Sequence, residues 1–136
     1  MSAFLTRLRV EILPPSEVRG RQLYRLLEDF VIDSNIVGRF AVPAGFITDF
    51  ASIPRVAFAY IDPEDPCILC PSVGHDYGYS LLGVLPDGRA FTRAQWDDVL
   101  VELMAISGAR IDQRKVVYFA VRVGGASHWK TEFKSA

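Results

Sequence analysis

His75-Asp76-Tyr77-Gly78-Tyr79 is the stretch of this sequence best equipped to do chemistry, and it holds one of only two histidines in the chain. On a helix, His75 and Tyr79 lie four apart and share a face with Ser72 and Leu82. Asp76 sits about 100° further round and must meet a different neighbour. Asp97 falls on a stripe that is otherwise apolar, with Leu100, Val101 and Met104, while Asp98, Glu102 and Ala105 form another. An inward carboxylate needs a partner, because burying it unpaired costs several kcal/mol. His75 is the expected one. A carboxylate on one imidazole nitrogen fixes the tautomer and leaves the other nitrogen as a general base. The same pair would also serve as a plain polar clamp between helices. Solvent access to the second nitrogen distinguishes the two.

A second concentration of polar groups runs from Gly45 to Arg55, Gly-Phe-Ile-Thr-Asp-Phe-Ala-Ser-Ile-Pro-Arg. It is too apolar for a plain surface loop, yet it carries Thr48, Asp49, Ser52 and Arg55. Asp49 could join Asp76 as an oxygen ligand for a hard cation such as calcium. Ser52 could be a nucleophile activated by His75 and Asp97. The structural alternative is that Ser52 caps a helix from Ile53, since Ser before Ile-Pro resembles a helix start, and that Asp49 pairs with Arg55. Cys67 and Cys70 have CxxC spacing, but a zinc site needs four ligands and no thioredoxin-like pattern surrounds them, so buried free thiols are expected. No phosphate loop, dinucleotide fingerprint or HExxH motif occurs.

The elements that must position these residues fall into two halves. Up to Asp49 the pattern is β. Leu8, Val10 and Ile12 alternate with Arg9 and Glu11, and short branched and aromatic runs follow at 23–27, 30–33 and 38–42, separated by Gly, Pro and polar breaks. This predicts an antiparallel meander of three to five strands. The second half is helical. Pro71 suits the first turn of a helix that ends near Leu82, with Gly83 as the left-handed stop. Thr92 and Gln95 match a capping box for a helix from Arg93 to about Ile106. A last helix is expected from about Asp112 to Val123, after which Trp129 and Phe133 fold back. The short connection between the first two helices makes them antiparallel neighbours. Gly74 and Gly78, four apart, clear one strip of the first helix for close approach, at about 1 kcal/mol each relative to alanine. The expected fold class is α+β, an N-terminal antiparallel β meander followed by about three helices, in a single domain over residues 1–136.

Composition narrows the function classes. The chain has 136 residues, half of them hydrophobic, with 15 Lys+Arg against 16 Asp+Glu. That apolar content excludes a disordered chain, and the near-zero net charge argues against nucleic acid as main partner. No apolar run approaches the roughly 18 residues of a transmembrane helix. Arg7 and Arg9 interrupt the N-terminal apolar residues, so no signal peptide is expected, and the two cysteines suit a reducing cytosol.

The segment Gly45 to Arg55, followed by the His75–Tyr79 motif, Asp97 and a late Ala120-Val121-Arg122-Val123-Gly124, resembles a small family of unknown function from tailed bacteriophages and prophages. The resemblance covers about Leu23 to Trp129. It implies a phage or prophage gene near late structural or lysis genes, with other phage proteins as partners, and no known activity. His-Asp-x-x-Tyr on one helix, with an Asp on a following antiparallel helix, also resembles the core of calcium-dependent phospholipases. That resemblance implies His75 as the base that activates water, Asp76 as a calcium ligand, and Tyr79 and Asp97 as the groups that orient His75. Here only Gly45, Thr48 and Asp49 stand where those enzymes have a glycine-rich calcium loop.

Two functions are therefore expected to compete. One is a phage-encoded hydrolase acting on a lipid or cell-envelope ester through His75 and Asp97, with calcium at Asp76. The other is a non-enzymatic tail, baseplate or head accessory protein, made in the host cytoplasm and carried in the virion, in which the same polar cluster only locks the helices. The edge near Leu8 and Ile12 and the tail around Trp129 and Phe133 are the surfaces expected to meet another chain.

Overall fold

The computed structural model describes residues 1–14, 22–49, 53–62 and 65–129. Six short strands come first: β1 (Ala3–Phe4), β2 (Val10–Ile12), β3 (Tyr24–Leu26), β4 (Phe30–Ser34), β5 (Gly38–Val42) and β6 (Ile47–Thr48). A 3₁₀ helix (Arg55–Ala59) leads to three α-helices, α1 (Pro66–Ser80), α2 (Arg93–Ile106) and α3 (Ile111–Gly124), and a final 3₁₀ turn (Gly125–His128). The α+β class is as the sequence predicts. The single meander is not. The strands form two three-stranded antiparallel sheets, ordered β1-β4-β5 and β2-β3-β6. The chain breaks at 27–29 between β3 and β4, so β4 pairs with the N-terminal β1 instead, Ala3 opposite Asp33, while β3 takes β2 and β6 as neighbours.

Alternation sets the inward faces. Phe30, Ile32 and Ser34 point in from β4, with Val31 and Asp33 half-buried between them. Phe4 stacks on Phe30 at 5.5 Å between ring centroids. One hydrophobic cluster joins these residues to Phe40 and Val42 of β5, Val73 and Tyr77 of α1, and Trp96, Val99 and Leu103 of α2. A second joins Ile53, Ala57 and Ile61 to Ile68 of α1, Leu100 and Met104 of α2, and Val117 and Val121 of α3. Helix α2 thus lies between α1 and α3 and feeds both clusters.

Helix α1 starts earlier than Pro71. Asp65 is its N-cap, accepting from the Cys67 amide at 2.9 Å, and Pro66 fills the first turn. Pro71 lies inside the helix, where its missing N–H leaves the Cys67 carbonyl without an i→i+4 donor. From Pro71 to Ser80 every residue is buried, so α1 is a central helix enclosed on all sides. The Gly74 and Gly78 strip is taken up by the protein's own side chains. A Cβ on Gly74 would stand 3.0 Å from Ile32 and one on Gly78 only 2.2 Å from the Trp96 ring. Gly83 stops the helix at φ +82, where a Cβ would also strike the Phe91 carbonyl at 2.0 Å. The Thr92–Gln95 capping box of α2 is present as predicted, and α3 begins one residue before the expected Asp112.

Glu102, on the outer stripe of α2, has a role that its position does not advertise. Its carboxylate accepts from the Ser2 hydroxyl, from the Ser34 hydroxyl at 2.6 Å and from the Asn35 amide at 2.7 Å. It clasps the N-terminal strand and the β4–β5 turn to the helix layer. Glu102→Ala is expected to lower stability by about 2–3 kcal/mol, since bonds to a charged acceptor contribute about 1.5–3 kcal/mol each and the site is only half-buried. Urea unfolding measures it, and an unchanged midpoint would show that water replaces the clasp at no cost.

Candidate functional site

The site is built on the middle of α1 and the start of α2, where the antiparallel packing brings His75 and Tyr79 against Asp97. His75 Nε2 lies 2.7 Å from Asp97 Oδ1. The Tyr79 hydroxyl donates to the same oxygen at 2.5 Å, and the two rings pack 4.2 Å apart. A carboxylate only accepts, so Nε2 carries the proton, and in the neutral ring Nδ1 holds the lone pair. The sequence-predicted trio of His75, Tyr79 and Asp97 is therefore brought together.

Two arginines complete the cluster. Arg122, from α3, donates Nη1 to Asp97 Oδ2 at 2.7 Å. Arg93, one turn before Asp97, donates Nη1 to the Tyr79 hydroxyl at 3.2 Å and to the Val121 carbonyl at 2.9 Å, and stands 3.6 Å from Asp97 Oδ2. From the sequence, Arg55 and Arg122 are the protein's own candidates to neutralise Asp49 and Asp76, with calcium as the alternative. The structure turns Arg122 to Asp97, because α3 packs on α2. Arg93 carries no such expectation. Its i,i+4 spacing to Asp97 is the signal that marks it.

The electrostatics follow from this crowding. Burial alone would raise the Asp97 carboxyl, but the donors from His75, Tyr79 and Arg122 outweigh it and hold the group below its ordinary value. Asp97 is therefore an anion at neutral pH. Burial, then the bond to Asp97, pushes the Tyr79 hydroxyl well above its ordinary range, so it remains a donor. Trp129 covers Tyr79 edge-on at 5.0 Å. The expected fold-back of the tail is seen there, and Trp129 is thereby used inside the chain. Phe133 lies outside the described residues.

The second polar pair is Thr48 and Asp76. The Thr48 hydroxyl donates to Asp76 Oδ2 across from β6, and both residues are buried. From the 45–55 segment, Thr48 thus meets α1, Phe46 sets its ring edge-on to Tyr77 at 5.4 Å, and Ile53 shares a cluster with Ile68. Asp49, the next residue, is half-buried and adjoins this pair through the backbone. Ser52 lies outside the described residues. The helix expected from Ile53 begins at Arg55, with Pro54 at its N-cap, and Arg55 is exposed. Cys67 and Cys70 are free and half-buried, with both thiols pushed up by burial.

For calcium, Asp76 and Thr48 bring two hard oxygens together, and Asp49 follows Thr48 in the chain. Among the described residues no group of three or more His, Cys, Asp or Glu side chains is placed to hold a metal ion. A cation here would therefore draw much of its usual six to eight oxygens from backbone carbonyls and water.

His75 and Asp97 are both completely enclosed, at 0% exposure, while the Arg122 and Arg93 side chains are partly exposed. The apolar grooves of about 620 and 570 Å³ open along α3 and are not lined by His75, Tyr79 or Asp97. No helix among the described residues is long and apolar enough to cross a membrane.

A family model described as a protein of unknown function, DUF1353, matches residues 24–121. That span takes in Thr48, His75, Asp76, Tyr79, Arg93 and Asp97, and stops one residue short of Arg122. No curated protein and no solved structure matches the chain.

Proposed function

The chain belongs to the DUF1353 family of proteins of unknown function, and on that premise we propose that it is a phage- or prophage-encoded hydrolase of a lipid or cell-envelope ester, with His75 as general base. The observation that carries this reading is the His75 Nε2 to Asp97 Oδ1 bond of 2.7 Å, reinforced on the same oxygen by Tyr79. It fixes the tautomer that leaves Nδ1 basic. In the reaction, Nδ1 takes a proton from water as the oxygen attacks the ester carbonyl. The tetrahedral intermediate then collapses, the C–O bond to the alcohol breaks, and the alkoxide recovers the proton from His75. The products are one acid and one alcohol. Asp97 stabilises the transient imidazolium, and Tyr79, Arg93 and Arg122 hold Asp97 in place. Calcium at Asp76 and Asp49 would polarise the ester carbonyl. Because His75 is enclosed, the reaction belongs to a conformation in which that enclosure opens.

The test is release of fatty acid from phosphatidylglycerol and phosphatidylethanolamine vesicles, and of nitrophenol from short-chain esters, in calcium and in chelator. His75→Asn is expected to lower any turnover by about 10²–10⁴-fold, the usual worth of a positioned general base. Turnover equal in the variant, or none on either substrate, removes the hydrolase. A melting temperature several degrees higher in millimolar calcium is expected from about 2.7 kcal/mol at 100-fold saturation, and an unshifted melt removes the metal.

A second reading is a non-enzymatic virion component made in the host cytoplasm. It is favoured by the complete enclosure of His75 and by β2, an edge strand whose Ile12 is 69% exposed. Mass spectrometry of purified particles decides it, since a protein missing from them has no place in the virion.

A further inference from the structure

The surface around α3 has an uncommon composition. Phe119 and Val123 on the helix, and Val56 and Tyr60 on the facing 3₁₀ turn, are each about 70% exposed. They flank the groove of about 620 Å³. Lys115 and Phe119 also line the groove of about 570 Å³ on the other side of the helix, beside Arg114 and Tyr118. The two grooves are thus one surface with Lys115 and Phe119 as its ridge. Monomeric proteins seldom leave so many large apolar side chains together in water.

The charged residues lining the two grooves are Lys115, Arg114 and Asp98, two cations to one anion. Within α3 the single acid, Asp112, is already bonded to Arg110 at 3.0 Å, while Arg114 and Lys115 form no ion pair among the described residues. Asp98 lies at the α2 side of the second groove. Arg114 shows a further peculiarity. Its Nε–H is out of contact with water and has no acceptor among the described residues.

We propose that the α3 face docks on the surface of an anionic phospholipid bilayer. Phe119, Val123, Val56 and Tyr60 enter the boundary between head groups and acyl chains, where aromatic and aliphatic side chains are favoured. Lys115 and Arg114 meet lipid phosphates. The inference does not rest on the hydrolase reading, because docking requires neither His75 nor Asp97.

The experiment is co-sedimentation with vesicles of phosphatidylcholine alone and of phosphatidylcholine with 30% phosphatidylglycerol, chosen as the probe at about that fraction. Expected is binding to the anionic vesicles that weakens with added salt, and is retained by the His75→Asn protein. Lys115→Gln should weaken it about fivefold, the equivalent of about 1 kcal/mol per cation. Phe119→Ser should weaken it about tenfold or more through lost apolar burial. Both residues are exposed, so melting temperatures serve as the control for folding. The proposal is overturned by no binding to anionic vesicles, by variants that bind like the parent, or by a dimer in light scattering that these same substitutions dissociate. That last result would assign the face to a second copy of the chain.

Discussion

Asp97→Asn is expected to cost about 3–5 kcal/mol of stability, the range for breaking a buried charge cluster by removing one partner. The amide is the same shape as the carboxylate, so packing is not the cause. Its oxygen can still accept from one donor, but its NH2 would face Arg122 Nη1 at the 2.7 Å now occupied by an ion pair, or else face His75 and Tyr79. Two donors then meet with no acceptor between them, and the Arg122 charge is left without its counter-ion. Any hydrolysis should fall with it, because His75 loses the group that fixes its tautomer. The pH dependence identifies the origin of the loss. A carboxyl held below its ordinary value by folding stabilises the native state above its unfolded value of about 3.9, and that stability is lost as pH falls through the lower folded value. The gap between parent and D97N should therefore be full near neutrality and shrink progressively below about pH 4. Urea midpoints at pH 7 and pH 3 measure it. A gap that is constant with pH would point to packing and not to charge.

Gly78→Ala should be nearly as damaging for a different reason. Its Cβ would sit 2.2 to 2.7 Å from three atoms of the Trp96 ring. The ring cannot retreat. It is fully buried, crossed edge-on by Phe40 at 5.3 Å, and tied through Nε1 to the Gly83 carbonyl at 3.3 Å. Alanine would gain about 1 kcal/mol of helix propensity. Overpacking of this severity outweighs that, and a net loss of about 2–3 kcal/mol is expected. The double variant G78A/W96L provides the check. If the clash is the cause, the two substitutions are strongly non-additive and G78A becomes mild in the W96L background. Additive effects would place the cost in the helix backbone instead.

How far the sequence leads is clear from individual residues. The His75–Asp97 bond is legible because a carboxylate on an apolar stripe has to find a donor, and the preceding helix offers one histidine. Tyr79 follows from its i+4 spacing. The partnership of Thr48 with α1 follows from a segment too apolar for a loop. Arg122 is not legible in the same way, because choosing among three acids requires knowing that α3 packs on α2. Glu102 escapes for the opposite reason: an acid on an outer helix stripe looks like a solvated residue, and its donors come from Ser2, just before β1, and from Ser34 and Asn35 at the end of β4, distant in sequence. The start of α1 was within reach. Asp65-Pro66 is a cap followed by a first-turn proline, but Pro71 offers the same cue five residues later and a proline inside a helix is usually excluded. The division into two sheets depends on β1, only two residues long, too short to show a period.

The Asp97 cluster also bears on how the protein comes apart. Its carboxylate is shared by side chains from all three helices: His75 and Tyr79 of α1, Arg93 of its own helix and Arg122 of α3. Pulling α3 away strands the anion, and pulling α1 away does the same. Neither end helix can fray past this junction without exposing the whole cost to the other. The three helices therefore open as one cooperative unit, and native-state hydrogen exchange at their centres reports a single opening free energy.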